Sequence, residues 1–312
     1  VESTRDMMRP MPRAGTNGIE LEYEEIGSGP VVLLVMGIGA QLVYWPDAFC
    51  ERLAARGYRV IRFDNRDVGL STKLHGVRVE PIFRMLARHL AGFPIQAPYT
   101  LDDMADDAVG LLDALRISRA HVVGVSMGGM IAQTMAIRHP SRVMSLVSIA
   151  SHTGDRRFMI TGPRAAWALL SKPPKNRDEA MDRAEKFYRT VGSRGFPIDV
   201  PGLRARAARA YDRCAYPPGF ARQMAAVLAS GSRTQALRKI RVPALVLHGT
   251  DDTMLRPAGG QATARAIPGA RLVMVKGMGH DLPEGAWPIV IDAIHAHVRD
   301  TRPSRPPRRN AL

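Results

Sequence analysis

The chain is 312 residues long and 46% hydrophobic, with two cysteines and a formal net charge of +15; this suits one large globular domain, or one domain with an insertion, and argues against a disulfide framework, a zinc site or a transmembrane segment. The charge invites a nucleic-acid reading, but arginine outnumbers lysine 38 to 6 and no helix-turn-helix, aromatic-basic platform or zinc knuckle accompanies it, so nucleic acid is not an expected partner. Residues 153–239 hold 18 basic against 7 acidic side chains and carry +11 of the +15; a solvated basic face is the plain reading, and attraction to an anionic membrane surface or an acidic substrate is the functional one.

Val1–Arg13 carries charges but no apolar core of the kind a signal peptide needs, so a cytoplasmic protein is expected, with association at a membrane surface as the alternative. Ile19–Ile26 alternates as a strand does, and Gly27-Ser28-Gly29 turns it into the buried strand Val31–Met36. Asp47–Arg56 has a helical pattern stopped by Gly57, and Tyr58–Phe63 is the next strand. Thr100–Arg116 is a helix with apolar residues at helical spacing and a capping-box start formed by Thr100 and Asp103. A strand at Ala120–Val125, a helix at Met130–Arg138 and a buried strand at Val143–Ile149 follow. Strand alternating with helix implies a mostly parallel sheet covered on both faces.

The pattern changes from about Thr153. No strand is expected before Ala244, and proline and glycine punctuate helical runs at Asn176–Val191, Leu203–Tyr211 and Phe220–Leu228. This predicts a helical insertion, or cap, at 153–239 between two parts of a core at 1–152 and 240–299. Strand–helix alternation resumes with Ala244–His248, Gly259–Ala266, Arg271–Val275 and Trp287–Val298. The Pro/Arg-rich end, 300–312, reads as a disordered basic tail.

The chemistry is concentrated at Gly124-Val125-Ser126-Met127-Gly128, a Gly-x-Ser-x-Gly run between a strand and a helix. That context makes a nucleophile elbow: the turn is too sharp for side chains two residues either side of the serine, so glycine stands there. A serine hydroxyl is a poor nucleophile without a base and an orienting acid, which in an open parallel sheet come from the carboxyl ends of strands. Two later strand ends supply them. Ala244–His248 runs into Gly249-Thr250-Asp251-Asp252, and Arg271–Val275 runs into Gly277-Met278-Gly279-His280. His280 is the expected base. Asp252, deeper in its loop, is preferred over Asp251 as the acid. His248 reads as structural, and His295 and His297 face different directions on a helix, so no metal-ligand cluster emerges. The oxyanion donors are expected to be the backbone N–H groups of Met127 and of Ile38, the latter flanked by Gly37 and Gly39. No cofactor is expected.

With these parts in the order serine, acid, histidine, the chain resembles the serine α/β-hydrolases over nearly its whole ordered length. Met36-Gly37-Ile38-Gly39-Ala40-Gln41 with Trp45-Pro46, and Phe63-Asp64-Asn65-Arg66-Asp67-Val68-Gly69-Leu70-Ser71, resemble the subgroup of aclacinomycin methylesterases and mycobacterial LipG-type lipase/esterases. Met36 departs from the broad family, many members of which place a histidine before the glycine; the oxyanion role belongs to the backbone and is unaffected. The resemblance implies hydrolysis of an ester at a cap-covered pocket, with Asp64–Ser71 beside it; a salt bridge within Asp64, Arg66 and Asp67 is the plain reading of that stretch.

The expected fold is therefore α/β: a mostly parallel central sheet with helices on both faces and a helical cap inserted before the acid-bearing strand. The expected activity is cleavage of carboxylic esters through an acyl-enzyme on Ser126, with lipid, phospholipid or thioester substrates included. Cofactor-free haloperoxidase chemistry on the same triad and a non-catalytic small-molecule receptor are the alternatives. Trp167, Leu169, Leu170, Phe187, Tyr188, Phe220 and Met224 are the candidates to line an acyl pocket, or else to pack on the core.

Overall fold

The computed structural model describes residues 12–158, 162, 165 and 171–301. Eight strands form one sheet: β1 (Arg13–Thr16), β2 (Ile19–Ile26), β3 (Val31–Val35), β4 (Arg59–Phe63), β5 (Ala120–Val125), β6 (Val143–Ile149), β7 (Ala244–Gly249) and β8 (Arg271–Val275). Their spatial order is β1-β2-β4-β3-β5-β6-β7-β8. The β1–β2 and β2–β4 pairs are antiparallel and the other pairs parallel. β1 lies outside the elements expected from sequence. It closes a hairpin through Asn17 and Gly18, both at positive φ, the turn that Asn-Gly favours.

The helices are α1 (Asp47–Ala54), α2 (Ile82–Leu90), α3 (Leu101–Ala114), α4 (Met127–Arg138), α5 (Arg177–Val191), α6 (Val200–Arg213), α7 (Pro217–Ser230), the single turn α8 (Thr234–Leu237), α9 (Pro257–Ala266) and α10 (Trp287–Asp300). The Thr100–Asp103 capping box opens α3 as expected. α2 was not expected from the sequence.

Burial explains the two-sided sheet. Every side chain of β3 is buried, and its alternation divides them: Leu33 and Val35 pack with Ile61, Val122 and Leu146 under α3 and α4, while Val32 and Leu34 pack with Val60, Val123, Val147 and Leu247 under α1 and α10. Parallel strands buried on both faces read as continuous apolar runs, which is why the central strands are visible in the sequence.

Between β6 and β7 no strand occurs among the described residues. α5 packs along α6, and α7 packs on α2 and α3. Contacts from this stretch run to the loops that follow β3, β4 and β8. The pocket candidates Trp167, Leu169 and Leu170 lie outside the described residues, as does the basic end beyond Thr301. No helix among the described residues is long and apolar enough to cross a membrane.

Candidate active site

Ser126 stands between β5 and α4 with φ 57 and ψ −120, a conformation a residue with a side chain holds only under constraint. The constraint is close packing. A Cβ on Gly124 would lie 2.1 Å from Gly128 O, one on Gly128 2.1 Å from Val35 O, and one on Gly129 2.7 Å from Ser151 Cβ. All three contacts are too short for any side chain, so the glycines let the strand, the turn and the helix close on one another. The serine is left raised at the carboxyl end of the sheet.

Two later loops meet it there. His280 Nε2 lies 3.1 Å from Ser126 Oγ, and His280 Nδ1 lies 2.8 Å from Asp252 Oδ2. The other carboxylate oxygen of Asp252 accepts the N–H groups of Met254 (2.9 Å) and Leu255 (2.8 Å). His248 Nε2 lies 3.3 Å from Asp252 Oδ2 and 2.7 Å from the Leu255 carbonyl, so it braces the acid loop. Asp251 instead accepts the Thr250 hydroxyl at 2.8 Å in the turn, and the geometry brings Asp252, not its neighbour, to the imidazole.

The charges of this pair reinforce one another. Burial alone would raise the Asp252 pKa, but the His280 charge and the hydrogen bonds from His248 and His280 outweigh it and hold the carboxyl well below the usual range. Burial alone would lower the His280 pKa, and the Asp252 carboxylate outweighs that, raising it above the ordinary histidine value. His152, three residues past β6, has no carboxylate in hydrogen-bond or ion-pair contact among the described residues, and the more distant Asp155 raises its pKa too little to matter. Burial first, and then Arg233, push its pKa down to about 3, so it stays neutral.

The loop after β3 closes the other side. A Cβ on Gly37 would sit 3.3 Å from the Ser126 Cβ, which places this backbone against the nucleophile. Gly39, at φ 66, donates its N–H to Gln223 Oε1 at 2.7 Å. The Ile38 N–H has no hydrogen-bond partner among the described residues. The Met127 N–H belongs to the first turn of α4, where no intrahelical acceptor exists. The two N–H groups named from the sequence, that of Met127 next to Ser126 and that of Ile38 next to Gly37, thus have no competing acceptor among the described residues. Among the described residues no group of three or more His, Cys, Asp or Glu could hold a metal ion.

The salt bridge expected within the Asp64–Ser71 stretch, among Asp64, Arg66 and Asp67, does not form; each pairs with a distant element. Asp64 accepts the N–H groups of Leu42 and Leu70 and pairs with Arg213 at 3.1 Å. Arg66 meets Asp107 through two nitrogens at 2.5 and 2.6 Å. Asp67 takes a bidentate Arg222 at 2.8 and 2.7 Å, both side chains being buried. Turns at Arg66-Asp67 and Gly69-Leu70, with Asp67 at φ 68, aim these side chains apart, so charges neighbouring in sequence find partners on different elements. Burial opposes the charge of Asp67, yet the Arg222 hydrogen bonds hold its pKa below the usual carboxylate range.

Several supporting residues carry no sequence signal. Asn65 donates to the Met36 carbonyl at 3.0 Å, and Gln223 bridges Gly39 N–H to the Arg66 carbonyl (2.8 Å), so both fix the loop that bears Ile38. Ser193, just past α5, accepts the Gly279 N–H at 2.9 Å and donates to Asp281. Of the described pocket candidates, Phe220 faces Gly39 and packs with buried Met224, next to Ile38, while Phe187 packs on the main core with Tyr188 edge-on to it at 5.5 Å.

Residues 30–285 match the profile of the α/β-hydrolase fold family. Rhodomycin D methylesterase DauP of Streptomyces sp. (strain C5) is 30% identical over 288 residues, covering 86% of this chain and 90% of its own. Rhodomycin D methylesterase DnrP of Streptomyces peucetius is 29% identical with the same coverage, 86% and 90%. The crystal structure of the enol-lactonase from Burkholderia xenovorans LB400 superposes with a TM-score of 0.67 at 25% identity, over 93% of this chain and 99% of that one.

Proposed function

The chain belongs to the α/β-hydrolase family, among its esterases, and from that premise we propose that it cleaves carboxylic esters through an acyl-enzyme on Ser126. The observation that carries this reading is one imidazole contacted on both edges, 3.1 Å from a serine hydroxyl and 2.8 Å from a buried carboxylate.

Asp252 holds His280 in the tautomer with hydrogen on Nδ1, leaving the Nε2 lone pair toward the serine. Ser126 Oγ attacks the ester carbonyl while its proton passes to His280 Nε2. The oxygen of the tetrahedral intermediate receives the N–H groups of Met127 and Ile38, and Asp252 steadies the imidazolium. His280 returns the proton to the leaving alkoxide, which departs as alcohol. Water, deprotonated by the same nitrogen, then attacks the acyl-enzyme and releases the acid. Phe220, against Gly39 in the loop that bears Ile38, would meet the acyl group as an apolar wall, and lipid esters and thioesters are included in this reading. The helices between β6 and β7 act in this reading as the cap that sets its shape.

The test is turnover of p-nitrophenyl esters by Ser126→Ala. Activity should fall to background while the thermal unfolding curve is retained; undiminished turnover would overturn the assignment.

A further inference from the structure

α2 presents an apolar face on each side. Inward, Met85 packs with Met224, Ala225 and Leu228 of α7, in a cluster that half-buried Ile38 and Phe220 also touch. Outward, Phe83 is 63% and Leu90 54% exposed, and Phe93 just past the helix is 58% exposed. These are the three most exposed large hydrophobic side chains among the described residues. Phe83 and Leu90 are two helical turns apart and share one stripe. An exposed aromatic and aliphatic stripe of this kind marks an interaction surface.

The charges around it say what it meets. Arg84 and Arg88 flank the stripe on the helix, and Arg156 reaches the Gly92 carbonyl at 3.3 Å with Arg157 beside it. Arg84 has no ion-pair partner among the described residues, and only Glu80 (3.9 Å from Arg88) and Asp155 (3.4 Å from Arg157) oppose the other three. A depression of about 710 Å³ opens alongside, with Phe93, Ile95 and Leu228 in its apolar wall and Arg156 and Arg157 at its rim. His89 also lines it, buried, with Nε2 lacking a hydrogen-bond partner among the described residues. A second copy of the chain fits poorly, because a two-fold contact would set these arginines against their own images. Apolar side chains at the acyl boundary with arginines at the phosphate level are what an interfacial helix offers an anionic bilayer.

We propose that α2 and Phe93 seat the protein on an anionic lipid surface. The seat lies across the Met85–Met224 cluster from Ile38, which would hold an ester carried in that surface near the proposed oxyanion loop; this last step alone rests on the esterase reading.

The experiment is co-sedimentation with vesicles of phosphatidylcholine alone and of phosphatidylcholine with about one-third phosphatidylglycerol, at low and high salt. It reads binding without turnover, so its outcome is independent of the role of Ser126. The native chain should bind the mixed vesicles and release them in high salt. Phe83→Ser/Leu90→Ser/Phe93→Ser should reduce partitioning about tenfold or more, and Arg84→Gln/Arg88→Gln/Arg157→Gln about a hundredfold. Unchanged circular dichroism melting of both variants would show that the fold is kept, as their exposure predicts. Equal binding to both vesicle types, no binding by the native chain, or a concentration-dependent dimer abolished by the serine variant in place of vesicle binding would overturn the proposal.

Discussion

The main-chain N–H of His280 donates to the carbonyl oxygen of Val191 at 2.8 Å. The proposed base is thereby tied to the last turn of α5, in the stretch between β6 and β7. Ser193 continues the tie by accepting Gly279 N–H and donating to Asp281, and Gly195 N–H donates to the Gly277 carbonyl at 2.9 Å. The loop that carries the imidazole is held by the end of α5 and the irregular stretch after it as well as by β8.

Ser193→Ala should therefore act on the histidine without touching it. The Gly279 N–H loses its acceptor and half-buried Asp281 a donor, at a cost of about 1–3 kcal/mol in urea unfolding. The freed loop should lower kcat about tenfold with little change in KM, while Ser193→Thr keeps the hydroxyl and restores most of the rate. A Ser193→Ala enzyme with native kcat would show that this tie does not position the base.

Buried ion pairing makes a different prediction at Asp67. Arg222→Met leaves that carboxylate buried and unpaired, and should cost about 3–5 kcal/mol by urea denaturation. Adding Asp67→Asn should recover much of the loss, since asparagine tolerates the positive φ at this position (68) and can still accept the Leu74 N–H. If the double variant is no better than the single one, the loss comes from packing of the arginine stem and not from its charge.

The pH dependence follows from the two shifts. Activity requires neutral His280, so kcat/KM should rise with pH through a value above the ordinary ~6.5 of histidine. Asp252→Asn removes the charge that raises it: the limb should move to lower pH, with kcat falling about 10⁴-fold. For stability the signs differ. The raised His280 value stabilises the fold below ~6.5, and that contribution fades as pH rises through the folded value. The depressed Asp252 value stabilises it above ~4, and that contribution fades as pH falls through the folded value. The pair should stabilise the fold most between those limits, and a urea midpoint measured against pH should show the window narrowing in Asp252→Asn.

What the sequence reveals depends on whether the cause is local. Ser126 was legible because the glycines at 124 and 128 are demanded by backbone contacts within a few residues and by Val35 below them. His280 and Asp252 were legible because they follow buried strands whose apolar runs are unambiguous. α2 was not legible: it is a short helix set between irregular stretches on both sides, and although its polar and apolar residues segregate, no adjoining strand marks it out in the sequence. The partners of Arg66 and Asp67 stand on α3 and α7, and no spacing rule encodes a contact set by how separate elements dock. Gln223 belongs to the same class, an ordinary helical glutamine until α7 is laid against the loop after β3.

The central claim is that Ser126 is an activated nucleophile. Fluorophosphonate labelling followed by peptide mass spectrometry tests it most directly, because the probe requires an activated hydroxyl and no knowledge of the substrate. One adduct on the peptide containing Ser126, greatly slowed in His280→Ala and absent in Ser126→Ala, is the predicted result. No adduct on the native chain, or an adduct formed equally well without His280, would contradict it.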